Sequence, residues 1–159
     1  MVKIPPVKVD LYPTAFMSYA QDFLAAYRCY DPIESSSRAR KFSPAQHYLV
    51  CRSIELSLKA FLLLEEQSER YIRLNIRHDL HKALKKAKEL GIQRAVNITD
   101  VDEYEIVKAN EWYDRKGFEY FSFQNLNAGK DTLPNLEVLE AVAKQLIEKL
   151  ELICRATSQ

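Results

Sequence analysis

The chain has 159 residues, 47% hydrophobic and 28% charged, with three Gly and six Pro. That size supports one buried core without covalent staples, and so few turn residues disfavour a turn-rich all-β fold. A formal net charge of +1 excludes a polycation, so any affinity for nucleic acid must come from a local patch.

The cysteines (Cys29, Cys51 and Cys154) are odd in number and far apart. They form neither a disulfide framework nor a CxxC pair, which excludes a zinc site of that kind and leads us to expect a reducing cytoplasm. Cys29 and Cys51 fall on apolar faces and read as packing residues. The segment Met1–Pro6 lacks the apolar run of a signal peptide, and the purest apolar run, Ala60–Leu64, is far too short for a bilayer. No membrane association is expected. There is no Gly-rich phosphate loop, which excludes a nucleotide kinase or GTPase, and no metal or other cofactor is expected.

Residues 1–11, with two prolines and no helical period, read as an N-terminal arm, and residues 12–157 as a single domain. From Tyr12 to Tyr30, Phe16, Ala20, Phe23, Tyr27 and Tyr30 recur at intervals of three and four, with Tyr19 and Leu24 widening the face. This is an amphipathic helix. The stretch Ser35–Lys41 is polar and aperiodic, a solvated loop. Ser43-Pro44-Ala45-Gln46 opens the second helix with a hydroxyl cap, a proline at the first position and a capping-box glutamine. Its apolar residues form two stripes: Val50, Cys51, Ile54, Leu58 and Phe61, and Leu49, Leu56, Ala60 and Leu63. A helix this apolar belongs in the middle of a bundle, with Glu55 and Lys59 paired at i,i+4 on what polar surface remains.

The third helix runs from about Asp79 to Leu90, its acid at the first turn and Gly91-Ile92 as a left-handed stop; Leu80, Ala83, Leu84, Ala87 and Leu90 form its core stripe. Thr99-Asp100-Val101-Asp102 caps a fourth, with Val101, Tyr104, Val107 and Trp112 expected inward. Residues 115–131 read as a packed aromatic connection. After Pro134 comes a last helix, with Leu136, Leu139, Ala143, Leu146, Leu150 and Ile153 as its seam. The fold class is therefore all-α, an up-and-down bundle of about five helices.

Positive charge gathers at the junction between the second and third helices. Arg70, Arg73, Arg77 and His81 would share a stripe if helix continued through it, with Lys82, Lys85 and Lys86 nearby and Tyr71 placed to stack on a base. His78 and Asp79 read either as a helix cap or as groups that meet a phosphate. His47, Tyr48 and Arg52 are expected to be partly buried in the bundle.

The order Ile54-Glu55-Leu56-x-Leu58-Lys59-Ala60-x-Leu62-Leu63, a charged loop, then His78-Asp79-Leu80-x-x-Ala83-Leu84-x-x-Ala87 resembles the HEPN family (higher eukaryotes and prokaryotes nucleotide-binding). Asn110–Arg115 looks like the aromatic-plus-arginine stretch of that family. The resemblance covers roughly residues 12–155. It implies a helical bundle, frequent homodimers, and either a ribonuclease or an inactive binding module, often beside a nucleotidyltransferase or in a toxin–antitoxin pair.

Ribonucleases of the family carry an Arg and a His four to six residues apart. Arg73 and His78 have that spacing, but Leu74 stands where a polar residue is expected and the pair lies earlier in the bundle than usual. The expectation is thus a non-catalytic module that binds nucleotide, RNA or a partner protein. Arg70, Arg73, Arg77, His78, Asp79, His81, Lys82 and Lys85 would form its surface. A ribonuclease using Arg73 and His78 is the alternative, and a structural dimer without ligand the third reading.

Overall fold

A computed structural model describes residues 12–30, 43–120 and 132–157. The N-terminal arm, the Ser35–Lys41 loop and most of the connection before the last helix lie outside the described residues. Among the described residues six α-helices form and no strand: α1 Pro13–Cys29, α2 Pro44–Leu64, the single turn α3 Glu69–Tyr71, α4 Leu80–Glu89, α5 Asp100–Tyr113 and α6 Leu136–Thr157. The five expected helices are all present, and α3 is added at the charged junction. It runs directly into a π-helical turn, Ile72–Ile76.

Local signals account for the boundaries. Ser43 Oγ accepts the Gln46 N–H, and Asp79 accepts the Lys82 N–H. Thr99 and Asp102 exchange hydrogen bonds in a full capping box, which satisfies two of the donors a helix start leaves open. Gly91 ends α4 in the left-handed region at φ +90°, where a side chain would be strained, and Ile92 folds back into the core.

Helix α2 is the hub, packed against α1, α4, α5 and α6. It is buried continuously from Ser53 to Leu62, as its double apolar stripe requires. Ser53 Oγ donates to the Ala20 carbonyl across to α1 at 2.8 Å, so even the small polar residues of this helix are satisfied inside. Phe16 shares a cleft with Leu63 while Phe23 packs on Tyr48, so α1 runs antiparallel to α2. Arg28 pairs with Glu140, and Glu151 accepts a hydrogen bond from Gln21, so α1 also opposes α6.

Four inward faces differ from the periodic reading. Glu55 and Lys59 are not on residual surface but buried, Glu55 completely. Val101 and Tyr104 are exposed, and α5 instead turns Ile106, Ala109 and Tyr113 inward. The stripe of α6 keeps Leu139, Ala143, Leu146 and Leu150 buried but is widened by Val142, Ile147 and Cys154, leaving Ile153 at its rim. Met17 joins the expected Ala20 and Leu24 as the buried face of α1, while Tyr19 and Cys29 face outward. In each of the last three cases a helix end or a second apolar stripe offered an equally periodic choice, and packing against α2 decided it.

Candidate functional site

The π-turn reshapes the basic junction. Its closing bond runs from the Arg77 N–H to the Ile72 carbonyl, and the next from the Asp79 N–H to the Ile76 carbonyl. Arg77 occupies the first central position of this second turn at φ +55°, ψ −115°. That is the geometry of a type II′ turn, where glycine is the usual residue. An arginine there carries backbone strain of about 1–3 kcal/mol.

The bend breaks the single stripe expected across the junction. Arg73, Arg77 and His78 line one cleft of ≈310 Å³ together with Glu69, Ile72, Phe16 of α1, and Lys59 and Leu63 of α2. Of the remaining predicted surface, Arg70, Asp79, His81, Lys82 and Lys85 do not line it. Asp79 is occupied as the α4 cap and also accepts Asn110 Nδ2 at 3.1 Å, while Lys82 pairs with Asp79 at 3.2 Å. Asn110 in turn accepts the Leu80 N–H at 2.7 Å, so the end of α5 locks the start of α4. Tyr71 is half-buried with the Lys86 ammonium over its ring, 5.9 Å from the centroid. Arg115 is exposed and absent from the cleft lining.

Beneath the cleft lies a network that periodicity alone does not assemble. The buried Glu55 carboxylate accepts from Lys59 and Tyr113 Oη, and from Arg52 at 2.8 Å. Burial alone would raise the pKa of Glu55, but the Lys59 and Arg52 charges and the bonds from Lys59 and Tyr113 hold it below its ordinary range. Tyr113 moves the other way, pushed up by burial and by the Glu55 charge it donates to. The only signal for this network was the Glu55/Lys59 spacing itself, which also fits a solvated pair.

His78 connects floor and rim. Its Nδ1 stands 3.2 Å from Glu55 Oε1 and 3.3 Å from an Arg52 nitrogen. A guanidinium can only donate and a carboxylate can only accept, so a single Nδ1 serves one of them at a time. With Nδ1 accepting from Arg52, Nε2 carries the proton toward the cleft; with Nδ1–H given to Glu55, Nε2 is free to accept. The Arg52 nitrogen that approaches Nδ1 also donates to Glu55 at 2.8 Å, so the geometry accommodates both tautomers. At the rim, the Arg73 and Arg77 guanidinium groups have no hydrogen-bond or ion-pair partner among the described residues, and neither has the Glu69 carboxylate.

His47 lies apart from this site. It is buried and stacked on Phe118 at 5.2 Å, with Nδ1 2.8 Å from the Ser43 carbonyl and Nε2 3.3 Å from that of Pro134. Burial outweighs both carbonyls and lowers its pKa. Burial pushes the Cys51 thiol strongly up and that of Cys154 up to about 11, which suits packing rather than nucleophilic chemistry. Among the described residues no three His, Cys, Asp or Glu side chains gather as a metal site, and no helix is long and apolar enough to cross a membrane.

Comparison with protein-family models, curated proteins and solved structures finds no match to this chain.

Proposed function

We propose that this chain is a non-catalytic helical binding module that takes phosphate-bearing ligands, nucleotide or RNA, in the cleft between α1, α2 and the α3–α4 junction. The observation that carries this reading is the pair Arg73 and Arg77. Both line the cleft without a protein partner among the described residues, and Arg77 stands where glycine would relieve the turn. Unmatched guanidinium groups in a concave site favour phosphate, whose oxygens meet the planar fork two at a time. When its Nδ1 accepts from Arg52, His78 adds an N–H donor.

The test is binding of a short RNA and of a mononucleotide at low salt. Arg73→Ala with Arg77→Ala should weaken both, and the logarithmic salt slope for RNA should fall by roughly 0.7 for each phosphate no longer neutralised. Unchanged affinity in the double variant would end this reading.

A second reading, metal-independent ribonuclease action, is favoured by the 3.2 Å approach of His78 to Glu55. In that tautomer Nε2 is a base facing the cleft, with Arg73 beside it to hold the phosphate. We expect no cleavage by the wild-type chain. Metal-independent cleavage that disappears in His78→Ala would replace the binding reading by this one.

The HEPN resemblance extends the proposal to a cytoplasmic homodimer beside a nucleotidyltransferase or an antitoxin partner. Sedimentation at micromolar concentration should give twice the monomer mass of 18.5 kDa.

A further inference from the structure

Charge, size and lining together narrow the ligand. The cleft and its floor hold four fixed cations, Arg52, Lys59, Arg73 and Arg77, against two carboxylates, Glu55 and Glu69. Two positive charges are in excess before His78 is counted. An internal phosphodiester carries one negative charge and would leave half of that excess unmet. A phosphomonoester carries about −1.5 to −2 near neutral pH and offers three terminal oxygens.

The volume of ≈310 Å³ is at the lower limit for small-molecule sites, roughly 300–1,000 Å³, and holds one nucleotide-sized group rather than a stretch of polymer. The lining is not purely cationic. Phe16, Leu63 and Ile72 form an apolar wall, and Glu69 presents an acceptor with no partner among the described residues. A bare phosphate uses neither feature. A nucleoside uses both, its base against the apolar wall and a sugar hydroxyl donating to the carboxylate.

Resting on the binding reading above, we infer that the cleft recognises a terminal phosphomonoester on a nucleoside, the dianionic end of a ribonucleotide, in preference to internal phosphodiesters. A free nucleoside monophosphate and the 5′-phosphorylated end of an RNA present the same chemistry.

The experiment is calorimetric titration of the full chain with three probes: a nucleoside 5′-monophosphate, a short RNA with a 5′-phosphate, and the same RNA with a 5′-hydroxyl. The phosphorylated RNA should bind at least about tenfold more tightly than its hydroxyl counterpart, the gain from one further charge-assisted hydrogen bond. Arg73→Ala with Arg77→Ala should erase that difference. A mononucleotide that binds while the phosphorylated RNA does not supports the inference and identifies the free nucleotide as the source. A mononucleotide and a phosphorylated RNA of similar affinity support it with either source. Equal affinity of the two RNAs, sensitive to the double variant, overturns the terminal-phosphate inference and leaves the general phosphate reading intact. Failure of all three probes to bind overturns both.

Discussion

Two sets of charges lie within one side chain's reach of each other, the buried network around Glu55 and the rim of Arg73 and Arg77, and they are arranged on opposite principles. In the floor every group has its partner: Glu55 accepts from Lys59, Arg52 and Tyr113 at once. At the rim neither guanidinium has any partner among the described residues, and the backbone that carries Arg77 is strained. Charges that are buried must be matched for the fold to exist. Charges left unmatched in a cleft contribute nothing to folding, and a ligand supplies what they lack. The floor should therefore answer to mutation in stability and the rim in binding.

The largest effect tests the floor. Glu55→Gln leaves the Lys59 and Arg52 cations beside a neutral amide in the middle of α2, and the cost should be about 3–5 kcal/mol, as for other broken buried pairs. That is a large share of a total of about 5–15 kcal/mol, so chemical denaturation should show a much lower midpoint or no folded baseline. A linked acid effect accompanies it. The folded-state pKa of Glu55 lies below its ordinary value of 4.5, so its contribution is complete above that value and is lost as pH falls through the depressed one. Wild-type denaturation midpoints should fall with acidification below that value, and a folded Glu55→Gln variant should show a shallower slope. Loss of RNA binding without loss of stability in Glu55→Gln would contradict the division between floor and rim.

The fold was legible because its signals were local and agreed with one another. Ser43-Pro44, Asp79, Gly91 and Thr99 each placed a helix end by a hydrogen bond or a φ angle that a few neighbouring residues decide. The double apolar stripe of α2 could only be a central helix. The site was legible in part. Arg73, Arg77 and His78 stand out by charge and spacing, and they do share a cleft. Arg70, His81, Lys82 and Lys85 were carried along by an assumed continuous helix, which the π-turn and the Arg77 bend interrupt. Nothing in the order Ile72–Ile76 marks a wider turn, because the two buried residues, Ile72 and Ile76, keep the i,i+4 spacing of an ordinary α-helix. Phe16, Leu63 and Tyr113 were out of reach for another reason: they arrive from three other helices, and single-chain periodicity does not say which helix faces which.

A smaller effect separates two neighbours that the sequence left as one feature. Asp79 accepts the Lys82 N–H and Asn110 Nδ2, whereas the His78 side chain is 58% exposed. Asp79→Ala removes a helix cap and the tie to α5 and should cost about 1–2 kcal/mol. His78→Ala should stay within about 0.5 kcal/mol of wild type, as exposed substitutions do. Thermal melts of the two variants check this directly, and similar losses in both would mean that His78 helps to build the fold after all.

The change expected at Arg77 is the most discriminating, because its sign is opposite. Arg77→Gly relieves a left-handed conformation whose strain is about 1–3 kcal/mol. Glycine also gains freedom in the unfolded chain, which returns about 0.4–1 kcal/mol to that state. The balance is a stabilisation of about 1 kcal/mol, seen as a higher denaturation midpoint with an unchanged slope. At the same time the variant removes one of the two unmatched guanidinium groups, so RNA and mononucleotide affinity should fall. Arg77→Lys discriminates further: it keeps the positive charge and the strain but lacks the planar fork, so its stability should stay at the wild-type level while binding is intermediate. A gain in stability coupled to weaker binding is the signature of a residue retained for its ligand against the preference of its own backbone. If Arg77→Gly were both less stable and equally good at binding, the arginine would belong to the fold, and the contrast between floor and rim would collapse.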